Sequence, residues 1–173
     1  MWSSETIPCR WLLLLGLALP LGGCLQPLYG GSGGAELQAD LAAIAIDPIP
    51  DRLGHYLGDE LIYALNGTGS QVTPRYRLTI TVAEHVQTPL VDTVTAQATS
   101  ATVVVDANYK LTHSEGGAPI TEGTAFNAAI YDRTINRFAD TRAARDAEIR
   151  DAQELADQIR TRLAIALRTS QTQ

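Results

Sequence analysis

The sequence predicts an α+β domain: a single four-stranded, mostly antiparallel sheet with two helices packed on one face. Three long segments alternate apolar and polar side chains, the pattern of half-buried strands. Two other segments repeat apolar residues every three or four positions, which indicates helices with one buried stripe. The predicted order is strand, helix, strand, strand, strand, helix. Helices on one sheet face are the natural solution, because each strand has one apolar side to cover.

The first strand and the first helix follow each other closely. The strand is predicted at residues 41–46, and it ends at the sequence Asp-Pro-Ile-Pro of 47–50 because proline lacks the amide donor that a sheet requires. The helix runs from Asp51, a plausible N-cap, to about residue 65. Gly54 and Gly58 each weaken it by about 1 kcal/mol relative to alanine. Their presence predicts either a close approach by a neighbouring element or a helix of low intrinsic stability.

Three strands are predicted next, at 75–86, 99–113 and 120–131. A turn signal, Ser-Glu-Gly-Gly at 114–117, predicts that the last two form a hairpin. The inward face of the last strand is ambiguous, because apolar residues occupy both of its sides. The segment 89–98 either extends the flanking strands into a long hairpin or forms a mobile loop. The outward sheet face is rich in threonine, arginine and asparagine, and is expected to meet water or a polar partner.

A long second helix is predicted at 140–169. Its apolar stripe is built from alanine, leucine and isoleucine at helical spacing. Its charged residues lie largely off that stripe and are expected to form a solvated face; they are Arg145, Glu148, Asp151, Glu154, Arg160 and Arg162.

The N-terminus resembles a bacterial lipoprotein leader. An apolar run of 11 residues, 11–21, is too short to span a bilayer, which takes roughly 20 residues. It leads into Leu-Gly-Gly-Cys at 21–24, in which small residues precede a nucleophilic thiol. We therefore expect residues 1–23 to be a cleaved signal peptide and Cys24 to carry the acyl chains. Leu25, where an aspartate would favour inner-membrane retention, favours the outer membrane.

Composition argues against most catalytic and nucleic-acid functions. The net charge is −6, and this is a poor match for the phosphates of nucleic acid. Removal of the leader leaves Cys24 as the only cysteine. The three histidines fall in separate elements without metal-ligand spacing, and no nucleophile motif is present. The sequence predicts a non-enzymatic protein with no metal and no cofactor, in which 24–40 form a lipidated, glycine-rich linker and 41–173 form the domain.

Several segments resemble the alphaproteobacterial LPS-assembly lipoproteins, the LptE family. Residues 24–30 read CLQPLYG, similar to the Cys-Gly-Phe-x-Pro-Leu-Tyr-Gly start of that family. Segments 46–54, 74–78, 123–132 and 138–147 fit the same family in the same order. Leu25 and Gln26 depart from the usual glycine and aromatic residue, and the 87–98 segment has no match.

The resemblance implies an outer-membrane lipoprotein that assists assembly of, and plugs, the LptD β-barrel during lipopolysaccharide transport. It would be anchored by acyl chains on the periplasmic side or in the barrel lumen, in a 1:1 heterocomplex and not as a homo-oligomer. Candidate contacts to lipopolysaccharide or the barrel are Arg75, Arg77, Arg133 and Arg137, since guanidinium groups suit phosphate. The alternative is an auxiliary lipoprotein of an inner-membrane lipid-transporting ABC system.

Overall fold

A computed structural model describes residues 34–67, 72–88 and 98–171 of the chain. The predicted leader, Cys24, most of the glycine-rich linker and residues 89–97 lie outside these ranges. The elements, in order, are α1 (Gly34–Ala42), β1 (Ile44–Ile46), α2 (Asp51–Asn66), β2 (Tyr76–Gln87), β3 (Ser100–His113), β4 (Thr121–Asp132) and α3 (Arg137–Gln171).

The four strands form one open sheet in the order β1-β2-β3-β4. β1 pairs parallel to β2, and the other two pairings are antiparallel. Helix α3 packs against β3 and β4, while α2 packs against α3 and β1. The predicted fold class is confirmed, and the structure adds a third helix to the two predicted ones.

Helix α1 corrects the start of the first predicted strand. Leu37 and Leu41 are fully buried one helical turn apart, and the helix packs on both α2 and α3. The helix therefore takes Leu41 and Ala42, so that β1 has only three residues instead of the predicted 41–46. Residues 34–40, placed by prediction in the linker, belong to this helix.

Helix α2 matches its predicted span but begins differently. Asp51 is its first residue, with a φ of 70°, and the preceding Pro50 is the N-cap, without a side-chain cap bond. Asp51 therefore does not act as the predicted N-cap. A Cβ on Gly54 would lie 2.6 Å from Cγ2 of Ile49, whereas one on Gly58 would meet nothing within 4 Å. The predicted close approach holds for the first glycine only.

The structure resolves the ambiguous strand. Ala125 and Ala129 of β4 are buried beneath the helices, while Phe126 and Ile130 are 53% and 63% exposed on the open face. Small residues are needed on the inner side: Gly123 lies opposite Tyr109, and a Cβ there would come within 2.8 Å of the tyrosine hydroxyl. Phe126 and Ile130 therefore point away from the helices, while Tyr131, at the end of the strand, packs partly buried against the core.

The sheet has two ends. The hairpin pole comprises Tyr76, His113 and the turn at 114–120, with Gly116 and Gly117 at positive φ, as the hairpin prediction requires. The open pole comprises Gln87, Ser100 and Asp132. Helix α3 begins just beyond the open pole and runs back for 35 residues, about 52 Å at 1.5 Å per residue.

Candidate binding surfaces and a buried acidic cluster

The four arginines proposed as contacts lie at opposite ends of the sheet. Arg75 and Arg77 are at the hairpin pole, beside the start of β2. Arg133 and Arg137 are at the open pole, where the backbone amide of Arg133 donates to the carbonyl of Thr99. The structure thus forms two separate pairs of arginines and not one four-residue site.

Three of these arginines already have carboxylate partners. Arg75 pairs with the buried Asp40 of α1. Arg77 lies 2.9 Å from Asp47, whose other oxygen accepts from the hydroxyl of Thr79 at 2.8 Å. Arg133 lies 3.6 Å from Asp140.

Arg137 differs from these three. Within the described ranges, no carboxylate lies at ion-pair distance from its guanidinium. Of the four candidates, Arg137 therefore has the charge most available to an outside phosphate.

The open face of the sheet divides into two halves. The half toward the hairpin pole is polar and contains a shallow depression of about 420 Å³, lined by Thr79, Thr81, Asn108, Tyr109, Lys110, Glu122, Gly123 and Thr124. The half toward the open pole carries Phe126 and Ile130, both more than half exposed. The expected polar face is therefore wrong for this half, where an apolar surface remains uncovered.

Helix α3 covers the free edge of β4 with polar side chains. Arg150 donates to the carbonyl of Ile130 at 3.0 Å, and Gln158 to that of Phe126 at 3.2 Å. Arg162 donates to the carbonyl of Thr124. Three backbone acceptors that an added strand would need are thereby occupied.

A buried acidic cluster lies between the helices and the sheet. Glu148 of α3 is 3% exposed, and its carboxylate is held by Arg52 of α2, with Nε to Oε2 at 2.7 Å. Glu84 of β2 lies at the exposed rim of this cluster: partial burial raises the pKa of its carboxyl, the charge of Glu148 raises it further, and Arg52 acts in the opposite direction. The cluster therefore joins α2, α3 and β2.

Asp151 is the most perturbed carboxyl of this cluster. Asp151 is completely buried, and its Oδ1 accepts a hydrogen bond from the side-chain amide of Asn127 on β4 at 2.8 Å. Its Oδ2 has no hydrogen-bond partner within the described structure. Burial raises the pKa of Asp151 to about 6, and the hydrogen bonds from the Asn127 side chain and the Ala129 backbone only partly oppose this effect. The neutral form of Asp151 thus fits its surroundings better than the ion.

These contacts correct the expected solvated charge on α3. Glu148 and Asp151 face the core together with Ala147, Ala152 and Leu155. Their spacing was a usable signal: residues 147, 151 and 155 are each four apart and therefore share one helix face. Because both residues are acidic, residue type alone predicted that Glu148 and Asp151 would lie at the surface.

The described residues show neither a metal cluster nor a membrane-spanning helix. No group of three or more histidine, cysteine or acidic side chains there is arranged to hold a metal ion. His113 instead lies against the ring of Tyr76, with centroids 5.6 Å apart. None of the helices in this part of the chain combines the length and apolar character that crossing a bilayer demands.

Comparison with known proteins decides the family. The sequence profile described as "LptE: Lipopolysaccharide-assembly" matches residues 41–163, most of the chain. The chain belongs to the LptE family. No curated protein sequence matches it significantly. Membership assigns it to lipopolysaccharide assembly and, since that is a non-enzymatic role, points away from catalysis.

Solved structures show the same LptE-like fold. A candidate lipoprotein of Caulobacter crescentus superposes with a TM-score of 0.63 at 22% identity, covering 76% of this chain and 95% of its own. A minor lipoprotein of Acinetobacter baumannii superposes with a TM-score of 0.55 at 17% identity, covering 70% of this chain and 91% of its own. The rare lipoprotein B of Shewanella oneidensis superposes with a TM-score of 0.51 at 10% identity, covering 75% of this chain and 96% of its own. At these identities the comparison supports the fold alone.

Proposed function

We propose that this LptE-family chain is an outer-membrane lipoprotein that docks inside the LptD β-barrel, assists its assembly and plugs its lumen during lipopolysaccharide transport. The observation that carries the proposal is the family match across 41–163, over a fold that includes all four strands. Acyl chains on Cys24 hold the chain at the membrane. Three chains anchor effectively permanently, since each buried CH₂ contributes about 0.8 kcal/mol.

The surface of the domain is compatible with a barrel interior. Barrel lumens are polar, and the half of the open sheet face near the hairpin pole presents threonine, asparagine, lysine and glutamate side chains. A plug needs hydrogen bonds to the barrel wall and no catalytic group. The polar half is therefore the surface that we assign to the wall.

The decisive experiment is depletion of the chain followed by measurement of LptD folding and of surface lipopolysaccharide. Misfolded barrel and lipopolysaccharide retained in the inner layers are the expected results. Purification from detergent-solubilised membranes should yield LptD in a 1:1 complex. Normal barrel levels after depletion, or co-purification of an inner-membrane permease, would contradict the proposal. The variant Cys24→Ser should lose acyl chains by mass spectrometry and leave the outer-membrane fraction.

Direct contact with lipopolysaccharide is assigned first to Arg137, because its guanidinium is unpaired within the described ranges. The variant R137E should weaken lipopolysaccharide binding more than R77E, whose arginine is already neutralised by Asp47 at 2.9 Å. Unfolding of both variants should be compared with the parent. Equal losses in binding would contradict this ranking.

A further inference from the structure

Unpaired arginines and exposed apolar side chains meet at the start of α3. Ile135 and Phe138 are 92% and 72% exposed, among the most exposed large apolar side chains of the described structure. Arg137, Arg142 and Arg145 lie within the same eleven residues, and all three are exposed. We call these five residues the cationic tip.

The backbone at the tip is held by a helix cap. The side-chain oxygen of Asn136 accepts from the amides of Phe138 and Ala139 at 3.1 and 3.3 Å, which holds the beginning of the helix. Phe138, Arg142 and Arg145 are four and three residues apart, so they share one helix face. The guanidinium carbon of Arg142 lies 5.7 Å from the centre of the Phe138 ring. An apolar ring and two cations therefore point in one direction.

The charge of the tip contrasts with the rest of the molecule. The whole chain carries −6, and Arg52, Arg75, Arg77 and Arg150 each have an acidic partner. Across the ranges that the structure describes, no acidic side chain lies at ion-pair distance from Arg137, Arg142 or Arg145. The two acidic residues next to these arginines along the helix are paired elsewhere, Asp140 with Arg133 and Asp146 with Arg150. The tip is thus a local positive surface on an acidic protein.

We infer that the cationic tip docks on the headgroups of an anionic phospholipid bilayer. The arginines match the phosphates in charge and in bidentate geometry, and Ile135 and Phe138 can enter the boundary between headgroups and acyl chains. This combination is typical of helices that lie in a membrane interface. The inference rests on the described residues and does not depend on LptD.

The position of the tip makes this contact distinct from the lipid anchor. Helix α1, which follows the linker, contacts the hairpin pole through the pair of Asp40 with Arg75. The tip is at the open pole, about 40 Å away along the 14-residue strand β3. The tip and the helix that follows the linker therefore contact opposite poles of the sheet.

The test uses the full chain isolated from membranes and reconstituted into phospholipid vesicles without lipopolysaccharide. Ile135→Cys labelled with bimane reports contact through quenching by nitroxide-labelled lipid. We expect quenching in vesicles containing phosphatidylglycerol and its loss in vesicles of phosphatidylcholine alone. High salt should also remove it, because surface electrostatics are screened.

The matched variants locate the effect at the tip. R142Q/R145Q removes two charges there, and about 1 kcal/mol for each arginine near an anionic surface predicts a loss of roughly 30-fold in docking. K110Q/R168Q removes two charges at the other end of the molecule, from β3 near the hairpin pole and from the last turn of α3, and should dock like the parent. Phe138→Ala should also weaken docking. Absence of quenching in anionic vesicles, or equal loss in both double variants, would overturn the inference.

Discussion

Replacement of Asp151 by asparagine should stabilise the protein at neutral pH. The carboxyl is completely buried, with one oxygen bonded to Asn127 and the other unsatisfied within the described structure. Its pKa of about 6, against an ordinary 3.8, means that ionisation of Asp151 costs the folded state about 3 kcal/mol above pH 6. Asparagine removes this charge and keeps a group able to bond Asn127. We expect a gain of about 1–3 kcal/mol in the free energy of unfolding at pH 7.5.

The sign of the pH dependence follows from the direction of the shift. Between about pH 4 and pH 6 the folded state binds more protons at Asp151 than the unfolded state does, so stability increases as pH falls through this window. The raised pKa of Glu84 acts in the same direction. The cost is fully present above the folded pKa and disappears below the unfolded one. The advantage of D151N should therefore shrink to near zero by pH 4.

Urea unfolding of the parent and of D151N at half-unit steps from pH 4 to pH 8 measures how the free energy of unfolding depends on pH. D157N is the matched control, because Asp157 lies six residues further along the same helix and is exposed. The control should follow the pH dependence of the parent, whereas D151N should flatten it between pH 4 and pH 6. A D151N protein that is less stable at pH 7.5, or that keeps the full pH dependence, would refute the reasoning.

Three further changes test the packing of α2. Gly54→Ala should lower the free energy of unfolding by about 1–3 kcal/mol, because its Cβ would lie 2.6 Å from the Ile49 side chain and 3.0 Å from its carbonyl oxygen. Gly58→Ala, with open space at the same helix, should raise it by up to about 1 kcal/mol; similar effects at both glycines in urea unfolding would contradict the structure. Arg52→Gln should cost about 1–3 kcal/mol, since Glu148 stays buried without its charge partner. A double-mutant cycle with E148Q measures the coupling, and a coupling near zero would show that the pair contributes nothing.

The long strands were predictable because their periodicity is local. In β3, residues 103, 105, 107, 109 and 111 are all buried, since helices cover that entire side of a central strand. The pattern in β4 was not decisive, because it is an edge strand with apolar side chains on both faces. Its orientation depends on the fit of Gly123 beneath Tyr109, a contact between residues on different strands. Single-strand periodicity does not contain that information.

Helix α1 and the acidic cluster were not predicted, because the burial of their acidic residues also depends on partners from other elements. The buried stripe of α1 includes Asp40, which is tolerated because Arg75, 35 residues later in the sequence, pairs with it. Asp151 likewise depends on Asn127 of a different element. Polarity at these positions argued for the surface, and only tertiary partners make their burial acceptable. The four candidate arginines are exposed, and their ion pairs and their separation depend on the fold.

The covered edge of β4 has a consequence for the proposed assembly of a β-barrel partner. A chain that assists such a client is surrounded by unpaired strands seeking acceptors, and an open edge would act as a template for misregistered pairing. With three of its carbonyls taken by Arg150, Gln158 and Arg162, this edge offers nascent strands little to join. The opposite edge, β1, is only three residues long. In the proposed role, the protein would therefore meet the barrel through side chains and remain separable from its sheet.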